Sequence, residues 1–306
     1  MKTISFIIHG KLSHHKMVLG LEEFFKEDFK VKFFFTKKPQ HAIELARNAV
    51  VQGTDFLIAV GGDGTLNEVV NGLMQNPEET RKHIFLGLIP AGSGNDFART
   101  IGVENDLHEL KKYMKEEMAL AIDLDLLQYN SIEGKPAQRY FINITDIGIG
   151  GIVAQKLHSA PRFFGAGFAY FVSIVRGFLA FKHQEVKLTY DGKEWQGKIL
   201  SLCMANGAWF GSGMGVAPKA NPCDGKMQLT VMGNVTLLDY FKYLPAIKRA
   251  EIVQHQEIQY LEAVNCSIES TGEACSIDMD GDFIGYTPVE MATISGEIRF
   301  LTGKKF

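Results

Sequence analysis

An aspartate among glycines is the feature of this sequence that points most directly to chemistry. The apolar run at residues 56–60 has the length of a strand and ends directly on Gly61-Gly62-Asp63-Gly64, and a helix-compatible segment, 66–73, follows. Glycines let the backbone approach a ligand without Cβ clashes, and the N–H groups at a helix start suit a phosphate. An aspartate there needs a cation beside it, which a magnesium nucleotide supplies. A tight turn with a helix-capping Asp63 is the alternative.

A second polar loop follows the next strand-like run and reads PAGSGNDFAR from position 90. Because the carboxyl ends of parallel strands meet at one edge of a sheet, we expect both loops to open together. Ser93 offers a hydroxyl to a phosphate or a base, and Asn95 and Asp96 can position groups around the first loop. Neither loop is a nucleotide signature of another class, since GxxxxGK[ST] occurs nowhere and GGDGTL does not match GxGxxG.

Segments with the apolar pattern of strands alternate with segments of helical spacing along the first ~125 residues, and these elements must position the two loops. Short apolar runs at 4–8, 31–35, 56–60 and 84–89 have strand length, and the spacing of apolar residues from Ala42 to Val50 is helical. This alternation predicts a parallel sheet with helices on both faces.

The pattern changes after about residue 125, where strand-like stretches with turn signals predominate. Asp191-Gly192 lies between two alternating segments, which is the strongest short-range signal for a hairpin. We therefore predict a second, mainly antiparallel β-rich domain.

Composition limits the class of protein. The 306-residue chain is 46% hydrophobic and 22% charged, as globular domains are, and its length fits two domains. A net charge of −3 argues against a nucleic-acid binder that relies on bulk positive charge. The four cysteines form no CxxC and the nine histidines no HExxH, so a disulfide scaffold or zinc site is not expected. With no evident signal peptide, we expect a cytoplasmic protein.

Residues 163–181 read FFGAGFAYFVSIVRGFLAF and carry one charge, Arg176. A bilayer span needs ~20 apolar residues, and a charge deep inside one costs ~3 kcal/mol. The sequence therefore favours a core or interfacial helix over a membrane span. Helices on a membrane surface usually carry several basic residues, and this segment has only Arg162, Arg176 and Lys182 in or beside it. The sequence therefore allows at most a weak peripheral contact with the inner face of a membrane.

Several motifs together resemble one family. The segments GGDGTLNEVVNGL (61–73), LGLIPAGSGNDFAR (86–99) and MANGAWFGSGMGVAPKANPCDGKM (204–227) are similar to the diacylglycerol kinase catalytic domain family, which includes bacterial soluble lipid kinases and sphingosine and ceramide kinases. Thr36 followed by HAIELA (41–46) also resembles that family. GGDGT alone is shared with NAD kinases, but the order of all these motifs is more specific.

The resemblance implies an ATP-dependent lipid kinase with a fold like that of NAD kinases and diacylglycerol kinases. It implies a nucleotide-binding domain at residues 1–126 and a β-rich lipid-substrate domain at 127–306, the last strand of which can return to the first domain. The implied nucleotide positions lie in the first domain and are Thr36, Gly62, Asp63, Gly64, Thr65, Leu66, Asn67, Glu68 and Ser93, to which the second loop adds Asn95.

The resemblance also implies acidic groups for Mg²⁺ and for proton transfer. Asp63 lies where the family has its essential aspartate, and Asp96 and Asp123 match a Mg²⁺–water network near the phosphates. The family's Asp-Gly-Glu motif, whose glutamate is taken as the proton acceptor, falls on Asp280-Gly281-Asp282, so Asp282 or Asp63 is expected to accept the proton of the substrate hydroxyl. A structural Mg²⁺ site would fall on three further positions, Asn221, Asp224 and the backbone of Lys226.

Three positions depart from the family's pattern. The family's N-terminal Asn-Pro-x-x-Gly phosphate loop reads Ile8-His9-Gly10-Lys11 in this sequence, which leaves Lys11, His14 and Lys16 as candidates for phosphate. Asp282 is one methylene shorter than glutamate, and catalytic geometry is sensitive at the ~1 Å level. Asn221 replaces an expected aspartate, which removes a charge from the structural metal site.

Three functions stay open. An ATP-dependent kinase that phosphorylates diacylglycerol or a sphingoid-like lipid is the favoured one, with ATP and Mg²⁺ as cofactors and a lipid alcohol as the partner. An NAD kinase-like enzyme shares GGDGT, and a non-catalytic nucleotide or lipid sensor would fit the altered motifs. A homodimer is an open possibility, and a nucleic-acid partner is not expected.

Overall fold

The chain forms two compact units. The structure is a computed structural model that describes residues 1–157, 172, 175–178 and 181–306. One unit comprises Met1–Ile122 with Ser295–Phe306, and the other comprises Asp123–Ile294. Most of the apolar segment 163–181, for which we expected a helix, lies outside the described residues. In the described part of the chain, no helix combines the length and the apolar character needed to cross a bilayer.

The first unit is built on a parallel sheet. Its strands are β1 (Thr3–Ile8), β2 (Lys30–Phe35), β3 (Phe56–Gly61), β4 (Phe85–Pro90) and the end of β15 (Asp282–Leu301). They lie in the order β2-β1-β3-β4-β15, and every neighbouring pair is parallel. The register pairs Gly61 with Pro90, so the loops after β3 and β4 leave the same edge of the sheet. The predicted parallel α/β fold is confirmed.

Helices cover this sheet. They are α1 (Lys16–Phe25), α2 (His41–Val51), α3 (Asp63–Met74), α4 (Glu78–Arg81), α5 (Asp96–Ile101) and α6 (Leu107–Glu116). Every residue of β3 is buried, as a strand covered on both faces requires. Phe25 of α1 and Met114 of α6 share one buried cluster with Phe6 of β1. Helices α2 and α3 pack closely at Gly72, because glycine has no side chain. A Cβ at that position would lie only 2.7 Å from the Ala46 side chain.

The second unit is mainly antiparallel, as predicted. Its strands are the part of β5 (Ala119–Ser131) from Asp123 onward, β6 (Pro136–Phe141), β7 (Ile144–Gly148), β8 (Gln184–Tyr190), β9 (Lys193–Ile199), β10 (Ser201–Ala205), β11 (Met227–Met232), β12 (Ile258–Ala263), β13 (Asn265–Ser270), β14 (Ser276–Met279) and the first part of β15. One sheet runs β12-β11-β10-β7-β14-β15, and β13 joins β15 to the β8–β9 hairpin. Helices α7 (Ile149–Leu157) and α8 (Leu237–Ile247) belong to this unit.

Two hairpin turns in this unit have the same chemistry. Asp191-Gly192 connects β8 to β9, which confirms the predicted hairpin, and Asp280-Gly281 connects β14 to β15. In both turns the aspartate and the glycine have positive φ, at 44° and 77° in the first and 51° and 92° in the second. Aspartate and glycine tolerate this conformation, which matches the twist of paired strands. The second turn places Asp282 at the start of β15.

Candidate functional site

The two glycine-rich loops of the first unit touch each other through their backbones. The Ala91 N–H donates to the Gly61 carbonyl at 2.8 Å. A Cβ on Gly62 would lie 3.0 Å from Gly92 Cα, and a Cβ on Gly92 would clash with Gly62 Cα. Glycine is therefore required at position 92 by the approach of a neighbouring chain segment. The loops that the sequence predicted at one sheet edge form a single surface.

Asn95 closes the second loop on itself. Its side chain accepts the Gly92 N–H at 2.9 Å and donates to the Gly92 carbonyl at 3.0 Å, and its φ of 51° is one that asparagine tolerates. The predicted site residue Ser93 lies at the exposed tip of this loop. Asn95 therefore shapes the loop, whereas Ser93 is available to solvent.

Asp63 links the two loops by capping a helix other than its own. Its two carboxylate oxygens accept the N–H groups of Asp96 and Phe97, at 3.1 and 3.0 Å. These are the first N–H groups of α5, where a negative charge is favourable. The sequence suggested Asp63 as a helix cap, and Asp63 does cap a helix. The helix that it caps is α5 and not α3, in which Asp63 itself lies.

Glu68 plays the same part for α2. Its carboxylate accepts the N–H groups of Gln40 and Ala42, at 2.9 and 3.0 Å. The N-cap of α3 is Gly62, which has no side chain to accept the first N–H groups of that helix. Two side chains of α3, Asp63 in its first turn and Glu68 in its second, therefore satisfy N–H groups at the starts of two neighbouring helices. A Cβ on Gly64, in that first turn, would meet nothing within 4 Å.

Asp63 and Asp96 converge on Gly94. A Cβ on Gly94 would lie 3.2 Å from one carboxylate oxygen of each. Asp96 is 4% exposed, and Asp63 is partly exposed. The predicted pair of acidic residues is therefore brought together beside the open start of α3.

The remaining predicted positions of the first loop serve the fold. Thr65 packs under Gly61, Leu66 is buried in the core, and Asn67 is fully buried. The Asn71 side chain donates to the Asn67 carbonyl and to its side-chain oxygen, at 2.9 and 3.2 Å. These side chains hold α3 against the sheet.

Thr36 lies at the end of β2, next to the end of β1. Its hydroxyl accepts the Gly10 N–H at 2.9 Å, and its N–H donates to the Ile8 carbonyl at 2.9 Å. A Cβ on Gly10 would clash with the Thr36 carbonyl. Gly10 was named from the sequence only as part of the altered N-terminal loop, although it follows an apolar strand just as the other two glycine loops do.

In the second unit, Asp123 is attached to the loop that contains the other predicted metal ligands. Asp123 is 1% exposed, accepts the Gly225 N–H at 2.6 Å and donates its own N–H to the Pro222 carbonyl at 2.7 Å. Within the loop, the side-chain oxygens of Asn221 and Asp224 accept the N–H groups of Cys223 and Lys226, at 3.1 and 3.0 Å. Burial raises the pKa of Asp224, and the negative charge of Asp123 raises it further.

Asp282 stays accessible at the start of β15. Its side chain is 49% exposed, and one oxygen lies 3.9 Å from the Arg139 guanidinium, a residue that the sequence did not bring forward. The turn before it is held by Asp278, which accepts the Gly281 N–H at 2.8 Å, and by Asp280, which accepts the Ile144 N–H at 3.1 Å.

Asp278 belongs to a buried polar cluster that sequence reasoning missed. It is paired in register with Asp146 on β7, which in turn is paired with Cys203 on β10. Asp146 accepts the Gly150 N–H at 2.8 Å, the Cys203 thiol at 3.3 Å and the Ser201 hydroxyl. Burial raises the pKa of both Asp146 and Asp278, and the Asp146 charge raises the Asp278 pKa further.

Metal-binding groups are sparse. In residues 1–157, 172, 175–178 and 181–306, no three His, Cys, Asp or Glu side chains form a set that could hold a metal ion. Mg²⁺ commonly binds through one or two carboxylates together with substrate phosphates and water. The pair Asp63 and Asp96 fits that pattern.

Comparison with known proteins defines first the class of fold. A crystal structure of a diacylglycerol kinase from Bacillus anthracis superposes with a TM-score of 0.71 at 20% identity, covering 99% of this chain and 97% of that one. The yeast NADH kinase complexed with NADH gives a TM-score of 0.53 at 12% identity, covering 99% and 84%. Both likenesses concern the fold alone.

Sequence profiles then define the family. The diacylglycerol kinase catalytic domain matches residues 6–126, and the YegS C-terminal NAD kinase beta sandwich-like domain matches residues 143–302. A diacylglycerol kinase from Staphylococcus carnosus is 27% identical over 279 residues, or 91% of this chain and 87% of the relative. The chain belongs to the diacylglycerol kinase catalytic domain family, as its motifs suggested, and is a kinase with an alcohol group as acceptor.

The glycine contact generates a prediction about folding. Gly92→Ala forces the two loops apart, so we expect the free energy of unfolding to fall by ~1–3 kcal/mol. The methyl group of Gly64→Ala meets open space in a helix, so this change should raise the free energy of unfolding by up to ~1 kcal/mol. If a phosphate occupies that space, the same change should lower the affinity for magnesium ATP. Urea unfolding and titration calorimetry measure the two effects.

Gly20→Ala is the matched control, because Gly20 is also helical with nothing within 4 Å of its Cβ position. It should raise stability as Gly64→Ala does and leave nucleotide affinity unchanged. Equal stability of the Gly92→Ala variant and the unmodified chain would contradict the close contact.

The buried acidic pair generates a prediction about pH. An acid whose folded pKa is raised contributes stability that is present below its unfolded pKa of ~4 and is lost as the pH rises through the folded value. The free energy of urea unfolding should therefore fall between pH 5 and pH 8. In Asp146→Asn the fall should be smaller, because one buried acid is gone and its charge no longer acts on Asp278. Glu133→Gln, in an exposed turn, should keep the original slope, and an unchanged slope in Asp146→Asn would refute the assignment.

Proposed function

We propose that the protein is an ATP-dependent lipid kinase that transfers the γ-phosphate to a hydroxyl of diacylglycerol or a sphingoid-like lipid. The start of α3 carries the proposal, because its N-cap is a glycine and its first N–H groups lie beside open space at Gly64, which suits a phosphate. Residues 1–126 then bind the nucleotide, and residues 127–306 bind the lipid. Family membership and a relative named diacylglycerol kinase support the lipid acceptor.

Asp63 and Asp96 are the residues that would hold Mg²⁺ in the first unit. Their carboxylates converge on Gly94 beside the proposed phosphate site, and two carboxylates completed by water and phosphate are an ordinary Mg²⁺ environment. The ion, when bound, neutralises negative charge on the phosphates. Asp123, the third acidic position that the family resemblance implies for a Mg²⁺–water network, is buried and accepts the Gly225 N–H at 2.6 Å.

Asp282 is the better proton acceptor of the two candidates. Both oxygens of Asp63 accept N–H groups of α5, whereas the Asp282 side chain is half-exposed with Arg139 nearby. The lipid hydroxyl oxygen bonds to the γ-phosphorus, the bond from that phosphorus to the bridging oxygen of ADP breaks, and Asp282 takes the hydroxyl proton. General-base assistance of this kind contributes ~10²–10⁴-fold.

Two weaker assignments complete the proposal. Lys11, His14 and Lys16 are exposed at the N-terminal loop and supply positive charge for the phosphates in place of the family's Asn-Pro turn. A structural cation would use Asp224, Asn221 and the backbone of Lys226. The neutral Asn221 side chain makes such a site weak, because Asp224 is then the principal charge of that loop.

An NAD kinase-like activity is the second candidate. Its support is the NAD kinase-like description of the second domain and the fold shared with a yeast NADH kinase.

Acidic-residue variants test the mechanism. We expect Asp282→Asn to lower kcat by ~10²–10⁴-fold with little change in nucleotide affinity. Asp63→Asn should weaken magnesium ATP binding and also lower stability, because the α5 cap loses a charge. Asp282→Glu should retain most of kcat, since it restores the family's residue. Steady-state kinetics and calorimetry measure these effects.

Glu133→Gln serves as the surface control, because Glu133 is exposed and forms an ion pair with the equally exposed Lys135. Unmodified rates in both Asp63→Asn and Asp282→Asn would sink the assignment.

The acceptor is tested with labelled ATP and separate pools of diacylglycerol, sphingoid bases and NAD. We expect label in a lipid pool, and mass spectrometry of the product identifies the lipid. Label in NAD alone would replace the lipid proposal by the second candidate, and label in no pool would indicate a non-catalytic sensor.

A further inference from the structure

Helix α8 presents an outward face that combines apolar and basic side chains. Its sequence, LLDYFKYLPAI, is predominantly apolar, yet none of its residues is buried. Leu238 is 80% exposed and Phe241 is 41% exposed. Single exposed apolar residues are normal on protein surfaces, but two large ones a turn apart on an apolar helix mark an interaction surface.

The helical spacing defines this face. Within α8, positions 238, 241, 242 and 245 recur at intervals of three and four, so they share one side of a helix of ~3.6 residues per turn. Lys248, the C-cap residue, and Arg249 follow the helix directly and are exposed. We call the set the α8 face: it consists of the apolar Leu238, Phe241 and Pro245 and the basic Lys242, Lys248 and Arg249.

The opposite side of α8 is attached to the second unit. The Tyr240 hydroxyl contacts the Met214 sulfur at 3.5 Å, and the Tyr243 hydroxyl donates to the Gln254 carbonyl at 3.3 Å. Asp239 forms the N-terminal capping box with Thr236. The helix is thus held with its polar anchoring contacts inward and the α8 face outward.

Charge on the α8 face has one sign. The carboxylate of Asp239 is engaged on the other side of the helix, where it accepts from Thr236 and lies 3.7 Å from His255. Arg249 is paired through two hydrogen bonds with the exposed Glu251, at 2.7 and 2.9 Å, so Lys242 and Lys248 supply the net positive charge of the face. Basic side chains that flank exposed apolar ones are the pattern of helices that lie in an anionic membrane interface.

We propose that the α8 face docks the protein on an anionic phospholipid bilayer. This inference rests on the proposed lipid acceptor, since a kinase for a membrane lipid must reach it at the bilayer. A second copy of the chain suits the face poorly, because a two-fold contact would bring its cations against the same cations. Leu238 and Phe241 enter the acyl boundary, and Lys242 and Lys248 meet lipid phosphates.

Vesicle binding of the full chain tests the proposal. The protein should sediment with vesicles of phosphatidylglycerol and phosphatidylcholine in equal parts, and much less with pure phosphatidylcholine or at high salt. We expect Lys242→Glu/Lys248→Glu and, separately, Leu238→Ser/Phe241→Ser to lower the partition coefficient by about tenfold or more.

Two exposed positions of the same unit provide matched controls. Ile132 is 58% exposed in the β5–β6 turn, and Lys193 is exposed at the start of β9. Ile132→Ser and Lys193→Glu should bind vesicles as the unmodified chain does. Equal vesicle binding by the unmodified chain and both α8 variants would overturn the proposal. A change in oligomeric mass by sedimentation velocity without a change in vesicle binding would assign the face to a second copy instead.

Activity separates this proposal from the proposed function. With a short-chain diacylglycerol dissolved in water, the α8 variants should keep the unmodified kcat, and with the lipid presented in vesicles they should lose about tenfold in kcat/KM. Failure to phosphorylate lipid in either format would refute the lipid kinase and leave the vesicle result standing. Loss of activity on the dissolved substrate in the α8 variants would refute a docking role.

Discussion

The approach of Gly62 to Gly92 is the contact on which the candidate site depends. Two chain segments that end neighbouring parallel strands meet there without side chains between them. A Cβ on Gly92 would force the loops apart, and with them the acidic groups that converge on Gly94. The site is therefore built from backbone packing first, and its carboxylates are placed as a consequence.

Electrostatics then decides which helix start is open. Asp63 in the first turn of α3 and Glu68 in the second accept N–H groups at the starts of α5 and α2. Each capped start gains from a negative charge and is closed to an external anion. The start of α3 has a glycine N-cap and open space at Gly64, where a phosphate can approach its first N–H groups. One helix thus orders its neighbours and keeps its own anion site free.

In the second unit, an exposed carboxylate, that of Asp282, is held next to the turn of a hairpin. Asp278 fixes the turn before Asp282 through the Gly281 N–H, at the cost of a carboxyl buried beside Asp146. Buried carboxyls of this kind favour the neutral form, as the raised pKa of each shows. The turn is consequently stiff, and the short Asp282 side chain reaches solvent from a fixed base. On the same unit, α8 uses its inner side for anchoring and leaves the α8 face to meet a partner.

Local chemistry determined much of this from the sequence by itself. Apolar runs that end on glycine predicted the parallel strands and the two loops at one edge, and Asp191-Gly192 predicted a hairpin, because these signals act over a few residues. The acidic and glycine residues of the site could also be named. What they contact could not: that Asp63 caps α5, that Glu68 caps α2 and that Asp146 faces Asp278 depend on which segments the fold brings together. Such pairings arise from long-range packing, which leaves no periodic trace in the chain, so only the tertiary structure decided them.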